Sequence, residues 1–113
     1  MDKLKIVNLT PHALNIYDSA GDLVEIVEPS GVVARASTYR SLEGKRGAIE
    51  LYCTSYANPA VVGTPEPGEA YVVSSIYLQC LRAHGGDDTG IYVPGEAVRD
   101  EAGRVIGCVG LSR

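Results

Sequence analysis

Phenylalanine and tryptophan are absent from this 113-residue chain. A core must then be built from Val, Ile, Leu and Ala, and in so short a chain it is modest. Oligomerisation commonly makes up that deficit, so a homo-oligomer is expected. The seven tyrosines are the only aromatic residues. Their rings suit packing while their hydroxyls seek a surface, an interface or a pocket. A basic patch is also missing. The ten Lys and Arg are scattered and the formal net charge is −4, with a pI of about 5.0. Long nucleic acid is therefore not an expected partner, whereas a small anion needs only two or three converging arginines.

Cysteine is scarce. An odd count of three, wide spacing and no C-x-x-C argue against a disulfide framework and against a zinc site. Cys53, Cys80 and Cys108 lie in apolar runs and read as small buried hydrophobes. No apolar run approaches membrane-spanning length. Met1-Asp2-Lys3-Leu4-Lys5 leads into a strand rather than an apolar signal region. The expectation is a cytoplasmic protein with no membrane partner. No Walker or Rossmann glycine motif is present, and neither is a nucleophile elbow.

What the chain does have is a composition typical of one folded domain, 45% hydrophobic and 21% charged, over residues 1–113. Short strand-like runs separated by Gly and Pro cover Lys5–Leu9, Ala13–Tyr17, Leu23–Val27, Val32–Ala36 and Ala48–Cys53. They continue at Tyr71–Ser74, Ile91–Val93, Ala97–Asp100 and Arg104–Leu111. This spacing predicts a mainly β domain, a compact antiparallel barrel or sandwich. Asp18-Ser19-Ala20-Gly21 and Asp100-Glu101-Ala102-Gly103 share the pattern D-x-A-G, which suits an Asp-capped turn closed by a left-handed Gly. One run breaks the pattern. Ser75 to Arg82 has helical spacing, a serine cap at Ser74 or Ser75, and His84-Gly85-Gly86 to end it. Asn58 to Gly68 holds three prolines and reads as irregular, and His84 to Gly90 as a mobile loop.

The most informative segment is Asn8-Leu9-Thr10-Pro11-His12. Three hydrogen-bonding side chains end a strand at a proline-fixed bend. Asn8 and Thr10 share parity on an extended chain, with His12 at the rim. A ligand site and a capped structural corner both fit. Arg35 sits in the same position of the alternation as Val33, so an inward Arg35 facing an anion is the site reading, and a structural ion pair is the other. Arg99 and Arg104 flank the last hairpin turn, where ion pairs with Asp100 and Glu101 are the simpler reading. Tyr92 is a stacking platform or an ordinary strand tyrosine. A triad of Ser74 or Ser75 with His12 and Asp100 is outweighed by serine capping. A weak cation site at His84, Asp87 and Asp88 is outweighed by a solvated loop.

The opening Lys5-Ile6-Val7-Asn8-Leu9-Thr10-Pro11-His12 and the closing Val98-Arg99-Asp100-Glu101-Ala102-Gly103-Arg104-Val105-Ile106-Gly107-Cys108 resemble a small-protein family of phages, prophages and bacteria. That family opens with N-L-T-P-H and closes with V-R-D-x-x-G-R-I-I-G-C. The resemblance implies a phage-like origin and a host-cytoplasmic setting, and it carries no activity. The expected function is a non-enzymatic small-ligand-binding protein that needs no cofactor or metal. Its ligand would be a nucleotide-like anion, such as a cyclic dinucleotide or ADP-ribose derivative sequestered from host antiphage defence. Asn8, Thr10, His12, Arg35, Tyr92 and Arg99 would line the site. A small hydrolase or phosphodiesterase using His12, or a structural or protein-inhibitor module, are the alternatives.

Overall fold

The computed structural model describes residues 4–59 and 62–113. The first three residues, read as the lead into the first strand, lie outside the described residues, as do 60 and 61 of the proline-containing stretch. Among the described residues the protein is mainly β with one helix. The strands are β1 (Lys5–Asn8), β2 (Leu14–Tyr17), β3 (Leu23–Val27), β4 (Thr38–Arg46), β5 (Ile49–Tyr56) and β6 (Glu69–Val72). Helix α1 (Ser75–Ala83), β7 (Ile91–Arg99) and β8 (Val105–Ser112) follow. Six strands form one sheet in the order β1-β6-β7-β8-β2-β3, and β4 with β5 forms a separate two-stranded sheet.

The large sheet curls almost into a barrel. Its edge strands β1 and β3 are joined where the Asn8 side-chain amide donates to the Val27 carbonyl at 3.1 Å and Ser30 N donates to the Asn8 carbonyl at 3.0 Å. The sheet is mixed rather than wholly antiparallel. β1–β6, β6–β7 and β2–β8 pair in parallel, while β7–β8 and β2–β3 are antiparallel. Parallel neighbours need a long crossover, and α1 supplies it between β6 and β7. Ser74 Oγ caps α1 by accepting from Tyr77 N at 3.2 Å, and His84 closes its C-terminus.

Both D-x-A-G turns form with the same geometry. Asp18 Oδ1 accepts from the N–H groups of Ala20 and Asp22, and Asp100 Oδ1 from those of Ala102 and Arg104. Gly21 and Gly103 close them at φ 92° and 82°, the left-handed region that glycine enters without strain. Two expectations fail. Val32–Ala36 is irregular, because its backbone serves the corner instead: Ala34 N donates to the Leu9 carbonyl at 2.9 Å. Pro94-Gly95, which separates the expected runs Ile91–Val93 and Ala97–Asp100, lies inside β7. There β7 has β8 on one side only, since β6 pairs with Ile91 and Tyr92 alone. A proline's missing N–H costs nothing on such an open side.

The core has two parts. One lies under α1 around Leu9, Val73, Tyr77, Leu78 and Ile91. The other joins Leu14, Ile16, Val72 and Cys108 between the strands. It is aliphatic as expected, apart from Tyr77, whose ring is fully buried and whose hydroxyl pKa is raised by that burial.

The β4–β5 hairpin stands away from this body. A compact chain of this length has a radius of gyration of about 13 Å, and this one measures 16.9 Å with a longest extent of 59 Å. Every residue of the hairpin except Gly44 and Ser55 is exposed. Cys53 is on it, which corrects the expectation of three buried cysteines: Cys53 is exposed, Cys80 and Cys108 are buried, and all three are free thiols. An alkylating reagent is therefore expected to label Cys53 immediately in the native protein. Cys80 and Cys108 should react only after denaturant is added, which intact-mass measurement resolves.

Candidate functional site: the corner at His12

β1 ends by entering the corner, and the corner's side chains turn inward. Asn8 is 1% exposed and all of its amide's capacity is used. Its Nδ2 donates to the His12 carbonyl at 2.8 Å and to the Val27 carbonyl. Its Oδ1 accepts from Thr10 N at 3.0 Å and from Thr10 Oγ1 at 2.6 Å. The Thr10 hydroxyl also lies 3.0 Å from the His12 carbonyl. Two side chains thus converge on one backbone oxygen, and that oxygen belongs to His12. Among the described residues no buried side-chain polar atom lacks a partner.

The bend this network fixes leaves the His12 ring exposed at the edge of an open concavity of about 350 Å³. Leu14, Pro94, Val105, Ile106 and Cys108 make its walls apolar, and Asn15 adds one amide. Asn15 Nδ2 donates to the Ile106 carbonyl at 3.0 Å, which ties β2 to β8 and leaves Oδ1 as an acceptor. The backbone is close-set here. A Cβ at Gly107 would lie 2.4 Å from the Asn15 carbonyl oxygen and 2.6 Å from the Tyr17 ring, so only glycine lets β8 approach β2 this closely.

The sequence-chosen residues separate into groups. Asn8, Thr10 and His12 come together, but only His12 lines the concavity; the other two hold it in place. Arg35 is exposed. The buried member of its segment is Ala34, not Val33, so the alternation is offset by one residue from the expected one. Arg99 is exposed and donates to the Gly103 carbonyl at 2.8 Å, a turn contact. Arg104 pairs with Asp100 at 3.1 Å. Tyr92 is half-buried with the Arg113 guanidinium over its ring at 5.6 Å. None of Arg35, Tyr92 or Arg99 lines this concavity. Ser74, His12 and Asp100 share no hydrogen bond, since Ser74 caps α1 and Asp100 holds its own turn. Asn15 and the run Val105–Cys108 are the site residues the sequence reading missed. The signal was available: a lone amide between two apolar residues, and a second motif at the other end of the chain.

A second concavity of about 270 Å³ lies between α1 and the proline-containing stretch, lined in part by Tyr77, Leu81, His84 and Asp87. Two of its polar groups, His84 and Asp87, are engaged. His84 Nε2 sits 2.8 Å from the Tyr56 carbonyl. Asp87 accepts from Thr89 N and Oγ1, which lowers its pKa. Asp88 is held by Arg82 at 2.8 Å and by Arg113 at 3.3 Å, and its pKa is lowered chiefly by the Arg82 hydrogen bond. The loop His84–Gly90 thus makes hydrogen bonds within itself and ion pairs to Arg82 and Arg113. Among the described residues no group of three His, Cys, Asp or Glu is placed to hold a metal ion, and no helix is long and apolar enough to cross a membrane. Comparison with protein-family models, curated proteins and solved structures found no match.

Proposed function

We propose that the protein is a non-enzymatic binding protein whose site is the His12 concavity, and whose ligand is a flat, largely apolar molecule of nucleoside size. The observation that supports this is convergence. Two motifs singled out at opposite ends of the sequence meet there, His12 from one and Val105–Cys108 from the other. The corner between them is spent on fixing His12. Apolar walls with one or two polar groups are the usual build of a small-ligand pocket, and about 350 Å³ is at the small end of their range. His12 and the Asn15 Oδ1 would read the polar edge of the ligand. No Lys or Arg is among the lining residues, so charge recognition of phosphate is weak there. If the ligand is a nucleotide signal of the cyclic dinucleotide or ADP-ribose kind, its base and ribose occupy the concavity and its phosphates remain in solvent. Binding is favoured over hydrolysis because no carboxylate or second base is among the described residues that line the concavity with His12, where one is needed to complete proton transfer.

Thermal-shift titration with adenosine and with ADP-ribose tests this reading. Both should stabilise the protein to a similar degree, and heat release should return each intact. His12→Ala should weaken adenosine binding about 5- to 30-fold, the equivalent of ~1–2 kcal/mol for a lost hydrogen bond. Recovery of a cleaved product would replace the reading with an enzymatic one, and absence of any shift would remove it.

A further inference from the structure

Among the described residues that line the His12 concavity, His12 and Asn15 carry the polar side chains. They differ in what they can tell apart. A neutral imidazole has one donor nitrogen and one acceptor nitrogen, and its tautomer can follow the ligand. His12 therefore suits a ligand edge of either polarity. An asparagine amide also has a donor end and an acceptor end, and a free one rotates to suit its partner. Asn15 is not free.

β8 carries a bulge beside it. The β7–β8 register passes from Val98 opposite Gly107 to Arg99 opposite Val105, and leaves Ile106 opposite no residue of β7. A bulge interrupts the regular ladder at the extra residue, and here the Ile106 carbonyl accepts from Asn15 Nδ2 at 3.0 Å. The two strands come this close because Gly107 has no side chain: a Cβ there would lie 2.4 Å from the Asn15 carbonyl oxygen. Asn15 is half-buried within β2 and lies opposite Ile26 of β3, so its backbone is held from both sides. A carbonyl oxygen only accepts. Turning the amide over would set Oδ1 against the Ile106 oxygen, two acceptors with no proton between them. Asn15 thus has one orientation, with Nδ2 toward β8. The amide edge left for the concavity is the acceptor Oδ1.

We infer that Asn15 makes the His12 concavity selective for a heterocycle that carries an exocyclic amino group, against the same ring with a carbonyl in that place. This selectivity rests on the proposed ligand reading of the concavity, whose ligand class it narrows. An amino group donates to Oδ1. A carbonyl oxygen there faces a second oxygen, and both give up hydrogen bonds to water without a replacement. Among nucleosides the favoured class includes adenosine and cytidine, and the disfavoured class inosine and uridine. No charged side chain is among the lining residues to override the preference.

Titration of the full chain with three purine ribosides, followed by NMR, tests it. Adenosine carries the amino group, purine riboside has hydrogen at that position, and inosine has a carbonyl. Purine riboside keeps the ring acceptor of adenosine next to that position, so this pair isolates the amino group. Affinity should fall in the order given, with inosine bound about 5- to 30-fold more weakly than adenosine, the effect of a hydrogen bond lost. Asn15→Leu, which keeps the size of the side chain, and Asn15→Ala should both bring the three affinities together, with circular dichroism confirming the fold. His12→Ala should weaken all three and keep their order. Equal affinities in the wild type, or the reverse order, overturn the inference and leave the binding reading standing. So does an order that survives in either folded Asn15 variant. Absence of binding by all three removes the binding reading and the selectivity with it. The order in the wild type is read without any variant, so it decides the matter even if neither Asn15 variant folds.

Discussion

Replacing Asn8 by alanine is expected to cost about 3 kcal/mol of stability, among the largest effects of any single substitution in this protein. The side chain is buried at 1% exposure, and its loss unmakes four hydrogen bonds at once. Each buried group left without a partner costs ~1–3 kcal/mol, and relaxation of the corner toward solvent recovers part of that sum. Asn8→Asp should be no milder, although it is isosteric. It keeps the oxygen that accepts from Thr10 and replaces the donor between the His12 and Val27 carbonyls with a second acceptor. A urea midpoint for the two variants checks this, and melting should fall by roughly 10–20 °C for a chain of this size. If Asn8→Ala melts within a few degrees of the wild type, the corner does not close the barrel.

Gly95→Ala is expected to be comparably damaging for a different reason. A Cβ at Gly95 would lie 2.0 Å from the Val109 carbonyl oxygen and 2.9 Å from that of Gly110. Both atoms are backbone of β8, so no side-chain rotation relieves the clash. β7 must separate from β8 locally, in the pair that carries the longest antiparallel ladder of the barrel. Overpacking of this kind costs ~1–3 kcal/mol, and more where backbone must move. Gly44→Ala provides the contrast. Nothing lies within 4 Å of a Cβ at Gly44 and its φ is not left-handed, so that variant should stay within about 0.5 kcal/mol of the wild type. Equilibrium unfolding of the two proteins side by side separates close approach from the general cost of altering a strand glycine.

The elements read most accurately from the sequence are those whose signal is local. The helix appeared because its cap, its spacing and its terminating glycines are contiguous. The two Asp-capped turns appeared because one carboxylate and one left-handed glycine define each. Strand direction was not legible. β1 and β6 are far apart in the chain, as are β2 and β8, and no turn residue records that they run parallel. β4 was missed altogether. Period-two alternation arises when one face of a strand is buried, and almost all of Thr38–Arg46 is exposed, so polar residues occupy both parities. Arg35 was misplaced because Val32–Ala36 looks like a strand while its backbone bonds to the corner instead. At the corner itself, the three polar side chains were recognised but their division of labour was not. Only the folded chain shows Asn8 and Thr10 aimed at the His12 carbonyl and the C-terminal Val105–Cys108 brought up beside it.

The corner is proposed to present His12 at a binding surface shared with β8. Heteronuclear NMR titration of the labelled full chain with adenosine tests it most directly. Chemical-shift changes are expected to be confined to the His12 ring, Ala13–Asn15 and Val105–Cys108, and to be lost or strongly reduced in His12→Ala with the rest of the spectrum retained. Changes centred instead on Arg35 and Arg99 or on His84, or no change at millimolar adenosine, would contradict it.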